Sequence, residues 1–534
     1  MADISFREPI KITCTDEYAQ DGSNQTFQKD VQVYAAMTGE GKKSKSDEEQ
    51  SPVSTIAEDD SFYVDFEEDD SRDPVNFSLW RKWAITITAC AFTGIVAASS
   101  SSFTMGYDTM MRDLNCTEFQ ATVALSLYTL GFGVVPLVTS SFSEEFGRHR
   151  LYIVCSLVFT LSEIAIALAN NIQTVIIARS LGGGFGSTGA TLVGGTIADI
   201  WRPQQRGLPM SIFALAAVAS TGLGPVISGW VDANPHLGWR WIQWIHAMFT
   251  GAYFLCVLVF MKETRSTIIL TRLARKIRKE TGNERYRARA EDEKRSLSTM
   301  VYISCTRPLR LLLTEPTVQS FSLWVGFTWG VLFCLVESVA PELQSLYGFG
   351  VGETGSAFTA LTIGSILGFI ANMYQETLYQ KYHARKGQEA RLYLACVAAL
   401  LLPTGMYIYA WTASPKIPWI APLIGLTTFM FSAYVIYQVT FIYLADCYGP
   451  YASSALAGQS LFRNLLATAF PLFTQQMFSR LTYRWANMLF AIIATVMIPI
   501  PYILFLYGSK IRARSKFSRM VLEAEAQQCL PAKK

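Results

Sequence analysis

Along most of this chain the apolar residues run together instead of alternating with polar ones. Twelve apolar runs can be drawn, at 83–105, 118–139, 151–169, 172–198, 207–231, 241–261, 318–340, 355–374, 391–411, 418–445, 453–478 and 485–508. Each has about 20 residues or more with few charges. As a helix rising ~1.5 Å per residue, that is enough to cross ~30 Å of hydrocarbon. The pattern predicts an all-α polytopic membrane protein with twelve transmembrane helices, called spans 1 to 12 below.

Charge collects in short blocks between the runs. The sharpest is Ser143-Glu144-Glu145-Phe146-Gly147-Arg148-His149-Arg150, set between spans 2 and 3. A charged block this short between two spanning runs must be a tight membrane-surface loop. The even-numbered connections are basic: Arg148 and Arg150; Arg202 and Arg206; the block 262–310; then Lys381, Arg385 and Lys386. The end of the chain adds Lys510, Arg512, Arg514, Lys516 and Arg519, and the odd-numbered connections are nearly free of bases. The positive-inside rule then puts both termini in the cytosol. Within 262–310 there are 14 Lys and Arg against 6 Asp and Glu. This divides the chain into a six-helix bundle at 80–261, a basic cytosolic linker at 262–317, a second six-helix bundle at 318–508 and a C-terminal tail at 509–534. Residues 1–79 are polar and acidic and read as a disordered cytosolic tail.

Composition supports this reading. The chain is 51% hydrophobic and only 16% charged, where a soluble protein carries about 25% charge. The net charge of +3 reflects topology and does not point to nucleic acid. Most of the 10 cysteines lie inside apolar runs, as packing residues do, and no Cys-x-x-Cys metal spacing occurs. No signal peptide precedes span 1, which is expected to act as an uncleaved insertion signal. The sequon at Asn115, Asn115-Cys116-Thr117, falls in the first outward loop and is a predicted glycosylation site. Asn24-Gln25-Thr26 and Asn76-Phe77-Ser78 should be cytosolic and unmodified. With 4 histidines and no His cluster, Ser/His/Asp grouping or phosphate loop, the chain does not read as an enzyme.

Candidate mechanism lies in the charges and small residues inside the spans. Arg179 sits about 10 Å inside the outer end of span 4. A charge at that depth is costly unless paired or hydrated, so it is either a functional group or an inter-helix tether. Glu163, at similar depth in span 3, is its expected partner. Gly182, Gly186, Ala190, Gly194 and Ala198 recur every fourth residue, a small-residue stripe that admits a close neighbour. Span 5 carries a second stripe, Ser220, Gly224 and Ser228, and Pro225 there frees the carbonyl of Thr221 and favours a kink. Arg148 and Arg150 can pair with carboxylates or with helix C-terminal carbonyls, and Asp199 and Arg206, which flank the next loop on the same side, could join the same network.

Polar groups at depth are few in the second half. Trp324, Trp329 and Glu337 share span 7. Tyr434, Tyr437 and Gln438 fall on one face of span 10. Arg463 and Asn464 lie about 16 Å into span 11. An aromatic cavity with a few polar groups suits an amphipathic organic molecule. The alternatives are that these aromatics pack helix against helix and that Glu337 is an interfacial carboxylate facing water.

With these residues in view, the chain from Asp73-Pro74 to about Tyr507 resembles fungal major facilitator transporters of the twelve-span drug:proton antiporter group. The marks are Ser143-Glu144 to Arg150, Arg179-Ser180-Leu181-Gly182-Gly183, Gly224-Pro225 with Gly229, and Trp239-Arg240-Trp241-Ile242. Others are Glu263-Thr264-Arg265, Arg307-Pro308 with Glu315-Pro316, Tyr451 to Ala457, and Pro471-Leu472-Phe473. Ser220 and Ser228 stand where the signature usually has glycine, His149 replaces a common base, and Gln388 stands where proline is usual.

The resemblance implies two pseudo-symmetric bundles with the site between them and alternating access by rocking. It makes Glu144, Gly147, Arg148 and Arg150 a gating loop. It gives Arg179 the proton-coupling role, with Glu163 and Asp199 as associated acids, and makes Ser220, Gly224, Pro225 and Gly229 the antiporter signature. It implies a monomer that takes a small-molecule substrate and needs no cofactor beyond the proton gradient. The expected function is proton-coupled export of a drug, toxin or secondary metabolite across the plasma membrane. The alternatives are an importer or vacuolar polyamine carrier, and a non-transporting sensor signalling through the acidic tail.

Overall fold

The computed structural model describes residues 62–519, apart from residues 68, 203–204, 293–295 and 516. The acidic tail up to residue 61, with its sequon at Asn24, and the end of the C-terminal tail lie outside the described residues. The described part is almost entirely helical. Its one two-stranded sheet joins Phe62–Tyr63 in parallel to Tyr286–Arg287.

That sheet corrects one expectation. Residues 62–79 were to continue the disordered tail, yet the described ones carry a strand and a capped 3-10 turn. Arg289 of the linker holds Asp65 at 3.0 Å, and Asp73 caps the short 3-10 turn Pro74–Asn76. The contacts are aromatic and ionic: Phe62 lies 5.6 Å from Tyr286 of the linker, and the acid just after the strand has a basic linker beside it.

Span 1 is Leu79–Ser102, span 2 Glu118–Phe146, span 3 Arg148–Ala167, span 4 Ile172–Ile200, span 5 Gly207–Asp232 and span 6 Gly238–Phe260. Linker helices Ser266–Thr281 and Leu297–Thr314 lead to span 7, Pro316–Tyr347. Span 8 is Thr359–Lys386 after the short helix Val351–Ala357, span 9 is Tyr393–Thr412, and span 10 is Ile420–Tyr448. Among the described residues ten stretches are long and apolar enough to cross a membrane, and the last, Ala452–Arg514, runs 63 residues. It reverses at Thr482, whose φ of 65° and ψ of 158° break the helix, and so holds spans 11 and 12. Span 4 is helical over 29 residues, but its glycines dilute its hydropathy. Counted this way, the long helices are consistent with twelve spans.

Local chemistry sets several ends. Thr117 and Gln120 form a capping box at the start of span 2, and the Asn171 side chain accepts from the Thr174 amide at 2.8 Å to start span 4. Large apolar side chains face outward, among them Leu255 at 62% and Val496 at 73% exposed, as a bilayer-facing surface requires.

The first six and last six spans meet along two seams, span 2 against span 11 and span 5 against span 8. Gly133 of span 2 lies against Asn464 of span 11, and Gly229 of span 5 lies against Gly355. The stripe expected in span 4 is shifted. Its tightest approach to a neighbouring backbone is at Gly183, where a Cβ would strike the Tyr128 carbonyl of span 2, while Gly194 faces nothing within 4 Å. Span 4 is surrounded on several sides, so its small residues answer to different neighbours and not to one stripe. Gly182 and Gly186 face Phe159 of span 3.

Candidate functional site

Arg179 is fully buried, at 0% exposure. Its guanidinium stands 4.4 Å from the Phe103 ring centroid and 4.2 Å from that of Tyr128. Its Nη1 donates to the Ser99 hydroxyl at 3.1 Å and the Ser99 carbonyl at 3.3 Å. The same hydroxyl donates to Glu163 Oε1 at 2.6 Å. The expected pair therefore comes together, but through Ser99 of span 1. One atom of each end is left over: Glu163 Oε2 and Arg179 Nε are buried without a hydrogen-bond partner. A serine hydroxyl that donates to a carboxylate while accepting from a guanidinium can reverse its role when the carboxylate takes a proton.

Asp199, grouped with Arg179 in the sequence reading, is elsewhere. It pairs with Arg148 Nε at 2.5 Å on the face that carries the linker, here called the basic face. The physical reason is length: Asp199 comes twenty residues after Arg179 on one helix, ~30 Å away along its axis. Arg148 is itself buried, and its Nη1 also donates to the Leu192 carbonyl at 3.4 Å. Gly147 takes a φ of +89°, and a Cβ there would run into the Glu263 carboxylate. Glu263 accepts from the backbone amides of Arg148, Thr264 and Arg265 at 3.0, 3.1 and 3.1 Å. Glu144 and Arg150 are exposed beside this network. Arg206 makes its hydrogen bonds beside it, capping span 4 through the Ala198 and Trp201 carbonyls at 2.6 and 2.9 Å.

The second half repeats the arrangement. Gly387 has a φ of +61°, and Arg391 after it binds Glu376 at 2.6 Å and Asp446 at 3.0 Å. Arg512 closes on Glu389 and Gln388. The separations are alike, 51 residues between Arg148 and Asp199 and 55 between Arg391 and Asp446, so the second network was readable from the first.

The span 5 residues pack as their small size allows. Ser220 lies against Gly94, Gly224 against the Ala98 carbonyl of span 1, and the Pro225 carbonyl and Gly229 against Gly355. An apolar cavity of about 390 Å³ lies between spans 1, 5 and 6. Its walls include Ile227 and Phe249, 52% and 56% exposed, so it opens toward lipid and not between the halves.

The second-half residues separate into three groups. Trp329 stacks on Tyr437 with centroids 5.2 Å apart, and Arg463 stands 4.9 Å from one ring and 5.2 Å from the other. Asn464, next to Arg463, turns back to the Ser460 carbonyl at 2.8 Å. Tyr434 and Gln438 instead reach Ser211 of span 5: the tyrosine hydroxyl donates to its carbonyl and the amide to its hydroxyl, both at 3.1 Å. Asn372 of span 8 donates to the same hydroxyl at 3.1 Å. These two expected site residues thus close the halves near the basic face. Trp324 is fully buried beside Phe321, 6.5 Å away. Five residues at ~100° each put it on a different face from Trp329.

Glu337 lies near the opposite face, where Thr122 of span 2 donates to it. Thr104 donates to the Val336 carbonyl at 3.3 Å, and Gln475 donates to Glu118. The halves are therefore joined on both sides of the midplane. Ser99, Ser211 and Asn372 were missed in the sequence because serine and asparagine within a span carry no charge signal. Asn115 is exposed in a left-handed turn, φ 47°, before span 2. Among the described residues no cluster of His, Cys, Asp and Glu could hold a metal ion.

Comparison with known proteins agrees with this architecture. The profile of the Major Facilitator Superfamily matches residues 87–446. An uncharacterised MFS-type transporter of Schizosaccharomyces pombe is 34% identical, covering 86% of this chain and 84% of that protein. The protein named Efflux pump radE of Floropilus chiversii is 33% identical, covering 84% of each. A crystal structure of a D-xylose–proton symporter superposes with a TM-score of 0.54 at 14% identity, over 78% of this chain and 98% of that one, a likeness of fold.

Proposed function

Because the chain belongs to the Major Facilitator Superfamily, we propose that it is a proton-coupled exporter of an amphipathic small molecule, working by alternating access. The observation that carries this reading is the buried Glu163–Ser99–Arg179 relay. Protonation of Glu163 removes the negative charge that strengthens the Ser99 bond and loosens the hold of span 1 on spans 3 and 4. Glu163 is thus the proton site, and Arg179 the fixed charge that returns it to the ionised form. Relatives named as efflux pumps support the outward direction. Lys and Arg on the basic face support a cytosolic placement of both termini, with the protein acting as a monomer in the plasma membrane.

The test is accumulation of labelled drugs, polyamines and metabolites in cells expressing the protein or Arg179→Ala, with and without a protonophore. Export predicts lower accumulation, reversed both by the protonophore and by the variant at equal surface expression. Higher accumulation in cells with the intact protein would establish import instead.

A further inference from the structure

Arg463 is 5% exposed and stands against two aromatic rings at mid-depth. Its Nη2 donates to Ser460 at 3.2 Å. Its Nε and Nη1 are buried without a hydrogen-bond partner, and among the described residues no carboxylate lies within the 4.0 Å of an ion pair. Arg179 has Ser99 and Glu163 close by, whereas Arg463 has one serine hydroxyl and two π faces. A guanidinium left in this state is strongly destabilising until an acceptor arrives. The neighbours lead to the seam between the halves. Tyr437 is 5.0 Å from Phe441, Phe441 is 6.3 Å from Phe213 of span 5, and Asn464 touches Gly133 of span 2. A molecule reaching Arg463 would therefore lie where the halves part.

We propose that Trp329, Tyr437 and Arg463 form a recognition site for an organic anion, a flat or aromatic amphipathic molecule bearing a carboxylate. The rings take the apolar face and Arg463 supplies the two unused donors. A cationic drug of the same shape is repelled by the guanidinium, and a neutral ester gains only the weaker neutral hydrogen bond. This inference rests on the transporter reading above and narrows its substrate to acids.

The experiment uses purified full-length protein in proteoliposomes, with naphthalene-2-carboxylate, its methyl ester and 2-naphthylmethylammonium as probes. The wild type should move the carboxylate about 10- to 100-fold better than the ester, the range expected for a charge-assisted hydrogen bond. R463Q should lose that preference, its carboxylate flux falling toward that of the ester, and R463K should retain part of it. Equal flux of acid and ester in the wild type overturns the proposal, as does an equal fall of both in R463Q, which would mark Arg463 as a packing residue. Binding is read separately, as protection of the purified protein against heat by the same three compounds. Protection by the carboxylate in wild type but not in R463Q, without gradient-driven flux, keeps the anion site and overturns proton coupling. Gradient-driven flux without acid preference does the reverse, and the absence of both protection and carboxylate flux overturns the anion site.

Discussion

Glu163 and Arg179 share one hydroxyl: Ser99 donates to the acid at 2.6 Å and accepts from the guanidinium at 3.1 Å. Two ionisable groups on neighbouring helices are thereby joined by a third helix. A change at either end must pass through span 1, which also lies against the Gly224 segment of span 5.

Replacing Ser99 with alanine keeps both charges and removes the link. Charge-assisted hydrogen bonds of this kind contribute roughly 1.5–3 kcal/mol, so flux driven by a pH gradient should fall about 10- to 100-fold. Ser99→Thr should keep most of it. Gradient-driven flux in proteoliposomes checks this at matched protein content. Unchanged flux in Ser99→Ala would remove the serine from the relay.

Gly147 and Gly238 both have positive φ, 89° and 63°, but differ in surroundings. A Cβ at Gly147 meets Glu263, and one at Gly238 meets nothing within 4 Å. Gly238→Ala should cost about 1 kcal/mol for its backbone conformation alone. Gly147→Ala should cost about 3 kcal/mol, because the Glu263 carboxylate must leave three backbone amides. Thermal unfolding in detergent orders the two variants, and equal midpoints would argue against the Glu263 contact.

The linker supplies a pH dependence. Arg278 donates from both terminal nitrogens to Glu291 at 2.8 and 2.9 Å, and this hydrogen bonding holds the Glu291 carboxyl below its usual value. A depressed carboxyl stabilises the fold above its unfolded pKa, about 4.3. That contribution is lost as pH falls through the lower, folded value. Proteolysis of the 282–292 segment should therefore be slow at neutral pH and rise in acid. Glu291→Gln should be cleaved readily at every pH. A variant as protected as the wild type at pH 7 would show that this pair does not order the linker.

Much of this architecture was legible in the sequence because the signals are local. An apolar run of about twenty residues declares a span wherever it lies, and Gly147 next to Arg148 declares a tight basic turn. Arg179 was conspicuous because a charge at that depth is rare. Partnership was not legible. Ser99 belongs to a run of four serines, and only helix rotation singles it out to meet Glu163. Tyr434, Tyr437 and Gln438 share a face on paper, yet in the fold that face straddles two neighbours. Tyr437 stacks with Trp329, while the other two reach Ser211. Asp199 was legible as a neighbour of the Arg148 loop, where it pairs, and twenty residues along one helix keep it from Arg179.

Ser211→Ala should release Asn372 and Gln438 together and leave two buried amides short of an acceptor, roughly 1–3 kcal/mol each. The populations should shift toward opening at the basic face. Alkylation of Gln438→Cys from that face, in a background with and without Ser211→Ala, would also reach the position itself. Labelling at least about tenfold faster with Ser211→Ala is the expected outcome. Equal labelling would mean that the halves are held elsewhere.

Convergence of three donors on Ser211 also bears on leakage. Bonds spread along a seam can fail one at a time and leave a crack wide enough for water or protons. Bonds gathered on one residue fail as a set, so this face has few half-open states through which the gradient could run down without moving cargo.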